Sequence, residues 1–152
     1  LRPFQKMIDY GLAGIMPAHV IYPNIDQNPA GFSSTWLQKI LRAEMQFEGC
    51  IFSDDLSMRG AADYLESIIM RARTALNAGC DMVLVCNNPQ GVDALLSQLQ
   101  WEMSATSLSR LARMHARNNF GSMTKLRENA DYVQAVREIG SIGCENLYLP
   151  LQ

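Results

Sequence analysis

Two adjacent carboxylates, Asp54 and Asp55, stand directly after the short apolar run Cys50-Ile51-Phe52 and its Ser53, and they are the sharpest chemical feature of the chain. A carboxylate just past an apolar strand serves as a nucleophile, a metal ligand or the cap of a following helix, and residue types alone leave these open. Successive side chains on an extended backbone point to opposite faces, so only one of the pair can face a pocket mouth. His19, after Met16-Pro17-Ala18, is the only histidine near the end of an apolar run. In that place a histidine is a hydrogen-bonded structural residue or a group beside a ligand. His115 lies among Arg110, Arg113 and Arg117 and reads as a structural or surface residue. Asn87-Asn88 reads as turn chemistry.

The four cysteines, Cys50, Cys80, Cys86 and Cys144, form no CxxC pair, so no zinc site is expected, and neither another metal nor a cofactor. Cys50 and Cys86 sit inside apolar runs and read as buried reduced thiols, which suits a reducing cytosol and predicts a cytoplasmic protein.

Three apolar runs must position these residues: 14–17, 50–52 and 82–86. Met82-Val83-Leu84-Val85-Cys86 is apolar throughout, as in a strand of a parallel sheet covered on both faces. Amphipathic segments alternate with the runs. Residues 4–10 read as a short helix stopped by Gly11. Thr35 with Gln38 fits a capping box opening a second helix, whose apolar face is Trp36, Leu37, Ile40 and Leu41. Leu65, Ile68, Ile69, Ala72, Ala75 and Leu76 define a helix over 65–78 with Gly79 as its stop. A further helix follows the turn at 87–91, to about Gln100. Tyr22 to Gly31 reads as a polar loop.

This βαβαβα alternation predicts parallel strands with right-handed crossovers, joined in the order of the sequence. In such folds ligands bind at the C-terminal ends of the strands, where His19, Asp54 and Asn87 are all expected, with Asp54 nearer the open pocket than Asp55. After residue 105 the strand pattern ends. Helices are expected at 107–120 and 131–139, and Cys144 to Gln152 is unassigned. The expected organisation is an α/β unit over 1–105 and a helical region over 106–152.

The 152 residues carry 48% hydrophobic side chains and a net charge of −2. That supports a globular core and gives no basic stripe for nucleic acid. No apolar run approaches the roughly 18 residues of a membrane span, and no signal peptide opens the chain. A neutral or weakly polar small molecule is the expected partner. The chain opens inside a helical pattern, as a fragment or a processed chain would.

Three segments, Met16-Pro17-Ala18-His19-Val20-Ile21-Tyr22, Ile51-Phe52-Ser53-Asp54-Asp55-Leu56-Ser57-Met58 and Ala78-Gly79-Cys80-Asp81-Met82-Val83-Leu84-Val85-Cys86-Asn87-Asn88, together resemble the bacterial β-N-acetylhexosaminidases of glycoside hydrolase family 3, the cytoplasmic cell-wall-recycling type. The resemblance is good over residues 1–100 and weak beyond 105. It implies a TIM (β/α)8 barrel, of which this chain would hold the C-terminal part, its last three strands. It implies release of non-reducing-end N-acetylglucosamine from N-acetylglucosaminyl anhydro-muropeptides with retention of configuration. It makes Asp54 the catalytic nucleophile, as the aspartate after the serine of the motif, and places His19 in a supporting role near the sugar. The family's acid/base, an Asp–His pair on a Gly-His-Gly loop, and its sugar-holding Lys-His pair match nothing in this sequence. The missing N-terminal half of the barrel is therefore expected to be needed for turnover. The alternative is an inactive truncated fragment or the product of a split reading frame. A phosphate-binding barrel is disfavoured, because 87–91 contains one glycine and no Gly-rich cradle.

Overall fold

The structure is a computed structural model and describes residues 1–115 and 121–142. It divides into two compact units, Leu1–His115 and Ala116–Gln152. The first unit therefore runs past the boundary expected at 105/106 and takes in helix α5 (Ala105–Arg113).

The first unit is built on a parallel sheet of three strands, β1 (Gly14–Ile15), β4 (Cys50–Asp55) and β5 (Met82–Leu84), in that spatial order. The register pairs Gly14 with Cys50 and Ile15 with Ile51, then Phe52 with Met82 and Asp55 with Leu84. The adjacent parallel arrangement read from the apolar runs is thus present. Between the last two pairs β4 spends three steps and β5 two, so the ladder slips by one residue just before the carboxylate pair. The strands are shorter at β1 and β5, and longer at β4, than the apolar runs suggest.

Met82, expected to be covered on both faces, is 41% exposed, since β5 is the last strand of the sheet among the described residues. Cys86, expected to be a buried thiol within a strand, is exposed in the loop after β5. The segment 22–31 is not a loop throughout. Strands β2 (Ile21–Tyr22) and β3 (Asp26–Pro29) pair antiparallel around a turn closed by Ile25 N–H on Tyr22 C=O, and a 3₁₀ turn follows over Ala30–Phe32.

Four α-helices join α5 in this unit: α1 (Arg2–Asp9), the short α2 (Arg59–Ala62), α3 (Ile68–Ala78) and α4 (Pro89–Gln98). Thr35–Glu44 winds as a π-helix. The capping box expected at its start does not form. Ser33 Oγ accepts from Trp36 N–H at 3.0 Å instead, and the Gln38 amide reaches across to Ala78 C=O at 3.4 Å.

Helix α3 starts at Ile68 rather than at 65. The Arg71 guanidinium donates to the carbonyls of Leu65 and Glu66, and to Leu56 C=O at 2.8 Å, and so ties the segment ahead of the helix to a side chain of the helix itself. Gly79 closes α3 at φ +123°, where a side chain would collide with Gln38.

The core gathers Leu37 and Leu41 of the π-helix, Phe47, Ile51, Leu56, and Ala72 and Ala75 of α3. Burying each large apolar side chain contributes about 1.5–3 kcal/mol. The two alanines let α3 lie close against the sheet.

In the second unit, α6 (Met123–Glu128) and α7 (Ala130–Ser141) are each capped by a side chain, Ser122 Oγ accepting from Lys125 N–H and Asn129 Oδ1 from Tyr132 N–H. The helix expected at 131–139 is α7; α6 had no counterpart in the sequence reading. Residues 116–120 of the helix expected at 107–120, and the tail from Cys144, lie outside the described residues.

Among the described residues Ser33, Ser53, Arg71 and Asp81 are the polar side chains buried with this core. Asp81, 3% exposed, opens β5 and accepts from Ile51 N–H at 2.9 Å, Arg42 at 2.8 Å, Ser107 Oγ at 2.7 Å and Arg110 at 3.3 Å. Burial, and after it the charge of Arg110, draws the Arg42 guanidinium below its ordinary value, while Asp81 acts in the opposite direction. Removing the carboxylate would leave two guanidinium groups with little water around them. Asp81→Ala is therefore expected to lower unfolding stability by about 3–5 kcal/mol, read from the urea midpoint. A loss under about 1 kcal/mol would show that solvent replaces the carboxylate freely.

Candidate active site

Everything at the C-terminal end of β4 follows from the slipped register. Once the backbone ladder to β5 is interrupted, side-chain oxygens of β4 take over as acceptors. Ser53 Oγ accepts from Leu84 N–H at 3.0 Å, and Asp55 Oδ1 accepts from Cys86 N–H at 2.9 Å. Leu56 N–H then donates to Leu84 C=O at 2.9 Å and restores a backbone link. Irregularities of this kind bend a strand and re-aim its side chains, and they are common beside active sites.

The two carboxylates are held differently. Asp55 Oδ1 takes a second N–H, that of Ser57, at 2.8 Å, and so closes the turn that leads into Leu56-Ser57-Met58. Asp54 Oδ1 accepts one bond, from Asp55 N–H at 2.8 Å, and its Oδ2 accepts none from the described residues. Both residues are half-buried.

His19 leaves the loop after β1 and places Nε2 3.2 Å from the Asp55 carbonyl. A carbonyl only accepts, so this contact assigns the ring proton to Nε2. Nδ1 is then a lone pair in the neutral ring; it is buried and accepts no hydrogen bond. The ring stacks on Phe32 at 4.9 Å, and Phe32 stacks on Tyr64 at 5.5 Å. A side chain on Gly31 would press within 3.2 Å of Pro17 C=O and 3.6 Å of His19 Nδ1, so the glycine keeps this packing possible.

His19, Asp54 and Asp55 are thus linked by hydrogen bonds at one edge of the sheet, and Cys86 brings its neighbour Asn87 to the same edge. Asn87 adopts φ +53°, a left-handed conformation that asparagine tolerates, and Asn88 caps α4 by accepting from Gly91 N–H at 2.9 Å. His115 takes no part in these contacts. Among the described residues no group of three His, Cys, Asp or Glu side chains is placed to hold a metal ion, and no helix is long and apolar enough to cross a membrane.

The sequence reading missed the staple made by Ser53 and Asp55, the buried charges Asp81 and Arg71, and the half-buried Arg42. The signals for the last three were present: an acid opening an apolar strand, and an arginine on the apolar side of an amphipathic helix.

A parallel sheet with alternating helices, carrying a carboxylate pair at the end of its central strand, is an α/β fold of the kind whose ligands bind at the C-terminal ends of the strands. Residues 1–114 match the model described as "Glycosyl hydrolase family 3 N terminal domain", and the chain belongs to that family. It is 56% identical to the beta-hexosaminidase of Nitrosospira multiformis over 99% of this chain and 43% of that protein. It is 55% identical to that of Nitrosomonas eutropha over 97% and 42%. It spans less than half the length of these relatives. Among solved structures, NagZ from Neisseria gonorrhoeae in complex with N-trifluoroacetyl-D-glucosamine is 38% identical, with a TM-score of 0.73 over 90% of this chain and 38% of that one. The beta-N-acetylglucosaminidase from Thermotoga maritima is 26% identical, with a TM-score of 0.62 over 76% and 28%.

The thiols give a local check on this edge. Burial pushes Cys80 up to about 12 and also raises Cys50, so neither offers thiolate near neutrality, whereas Cys86 is exposed beside the Asp55 staple. Brief iodoacetamide treatment at pH 8, read by peptide mass mapping, is expected to label Cys86 and to spare Cys50 and Cys80 until the protein is unfolded. Equal labelling of Cys80 and Cys86 in the native state would contradict the packing described.

Proposed function

We propose that this chain carries the nucleophile of a retaining β-N-acetylhexosaminidase, and that Asp54 is that nucleophile. The observation that carries the reading is the division of labour within the pair. Asp55 Oδ1 is committed to two backbone N–H groups from two segments. Asp54 stands at the end of the central strand with one oxygen oriented by its neighbour's N–H and the other unclaimed by the described residues. The relatives named beta-hexosaminidase and the NagZ bound to an N-acylglucosamine analogue support the substrate class.

In the proposed reaction an Asp54 oxygen attacks the anomeric carbon of a terminal N-acetylglucosamine. The glycosidic C–O bond breaks, and an acid protonates the leaving oxygen. Water, deprotonated by the same group, then attacks the glycosyl-enzyme and frees Asp54. The substrate we propose is an N-acetylglucosaminyl anhydro-muropeptide from peptidoglycan turnover, hydrolysed in the cytoplasm, where the free thiols of Cys50, Cys80 and Cys86 stay reduced. The strands seen here serve as the last three of the barrel, and the acid/base comes from the remainder.

General acid–base assistance is worth about 10²–10⁴-fold, and orientation of the sugar contributes further. The isolated 152-residue chain is therefore expected not to hydrolyse a chromogenic N-acetyl-β-glucosaminide, and a form joined to the rest of the barrel is expected to do so. In that complete form Asp54→Asn should lower turnover on the order of 10³-fold or more, since an amide is a poor nucleophile. Robust turnover by the isolated chain, or equal losses at Asp54→Asn and Asp55→Asn, would refute the assignment.

A further inference from the structure

Asp55 is held from three directions. Its side chain accepts from Ser57 N–H and from Cys86 N–H, its carbonyl accepts from His19 Nε2–H and from Met58 N–H at 3.1 Å, and its own N–H donates to Asp54 Oδ1. The first bond fixes the turn after β4, and the second ties β4 to the exit of β5. The third ties β4 to the loop that leaves β1. With side chain and carbonyl both anchored, the backbone angles of Asp55 have little freedom. The direction of its N–H, and therefore of the Asp54 carboxylate, is fixed with them.

We propose that Asp55 is the positioning residue of the nucleophile, acting with His19 as its second anchor, so that the carboxylate of Asp54 is aimed by the Asp55 peptide N–H rather than by a side-chain donor. This rests on the assignment of Asp54 and deepens it: it gives the second acid of the pair a task distinct from that of the first. Asp55 contributes an acceptor atom at a given place, and its charge is secondary. His19 works through the Asp55 carbonyl, its Nε2–H being directed at the protein backbone. The strand slip makes the device necessary, because the ladder offers no acceptor of its own to Cys86 N–H.

Acceptor geometry and charge separate by substitution. Asn keeps Oδ1 and loses the charge; Ala loses the acceptor; Glu keeps the charge and moves the acceptor outward by a methylene. In the complete enzyme, Asp55→Ala is expected to lower kcat on the order of 10²-fold, the cost of a small misplacement of reacting groups, with KM changed less than about threefold. Asp55→Asn is expected to recover kcat to within about fivefold of the parent, a neutral acceptor replacing a charged one. His19→Gln, which can still donate to the carbonyl, should keep more kcat than His19→Ala. If Asp55→Ala does not fold, Asp55→Glu decides, and is expected to fall with the alanine variant.

A kcat for Asp55→Ala or Asp55→Glu within threefold of the parent would overturn the proposal. So would an Asp55→Asn variant as poor as Asp55→Ala, since charge would then be what matters. Azide added to Asp54→Ala separates this from failure of the parent reading. Rescue to an α-glycosyl azide establishes the nucleophile, and the Asp55 series then judges the positioning role alone. No rescue, with turnover retained in Asp54→Asn, would overturn both.

Discussion

A carboxylate taken out of water must be answered by donors, and Asp81 is answered by four: the Ile51 N–H, Arg42, Ser107 and Arg110. Through them the start of β5 is joined to β4, to the π-helix and to α5. The same arrangement fixes where β4 begins, and its far end carries Asp54 and Asp55. A charge cluster at one end of the strand and a hydrogen-bonded turn at the other hold six residues between them. Ile51 and Ser53, both 0% exposed, bind the middle of the strand to the core. Rigid support of this kind is what a reacting group needs, since misplacement by about 1 Å costs on the order of 10²-fold in rate.

The slip between β4 and β5 turns that rigidity into direction. A regular ladder would have paired the backbone of β4 to its end and left both carboxylates as strand side chains. With one extra residue on β4, Ser53 and Asp55 become acceptors for β5, and Asp55 is drawn into the sheet's hydrogen bonding. Asp54 is what remains. The pair thus divides into one structural and one available carboxylate by backbone geometry, before any substrate arrives.

Much of this was legible in the sequence. The parallel order of the strands followed from the apolar runs at 14–17, 50–52 and 82–86, and α3 and its glycine stop from helical spacing. The gathering of His19, Asp54 and Asn87 at one edge followed from the rule for parallel sheets. What escaped were features set by partners distant in sequence. The antiparallel pair at Ile21–Tyr22 and Asp26–Pro29 was hidden in a stretch of prolines and asparagines with turn composition. The segment ahead of α3 is tied by Arg71, whose three carbonyl partners no local pattern announces. Gln38 fitted a capping box by spacing, yet binds Ala78 forty residues away. Asp55 resembled a second candidate for chemistry because Cys86, its partner across the slip, lies 31 residues on.

The central claim is that Asp54 forms the covalent bond to the sugar. The most direct measurement is to incubate the complete enzyme with a fluorinated N-acetylglucosaminyl fluoride that traps the glycosyl-enzyme, then to digest it and sequence the modified peptide by mass spectrometry. The account predicts a single added sugar on the carboxylate of Asp54, in the peptide spanning Ile51 to Met58. A sugar on Asp55 or on any other residue, or turnover that consumes the reagent with inversion and no adduct, would contradict it.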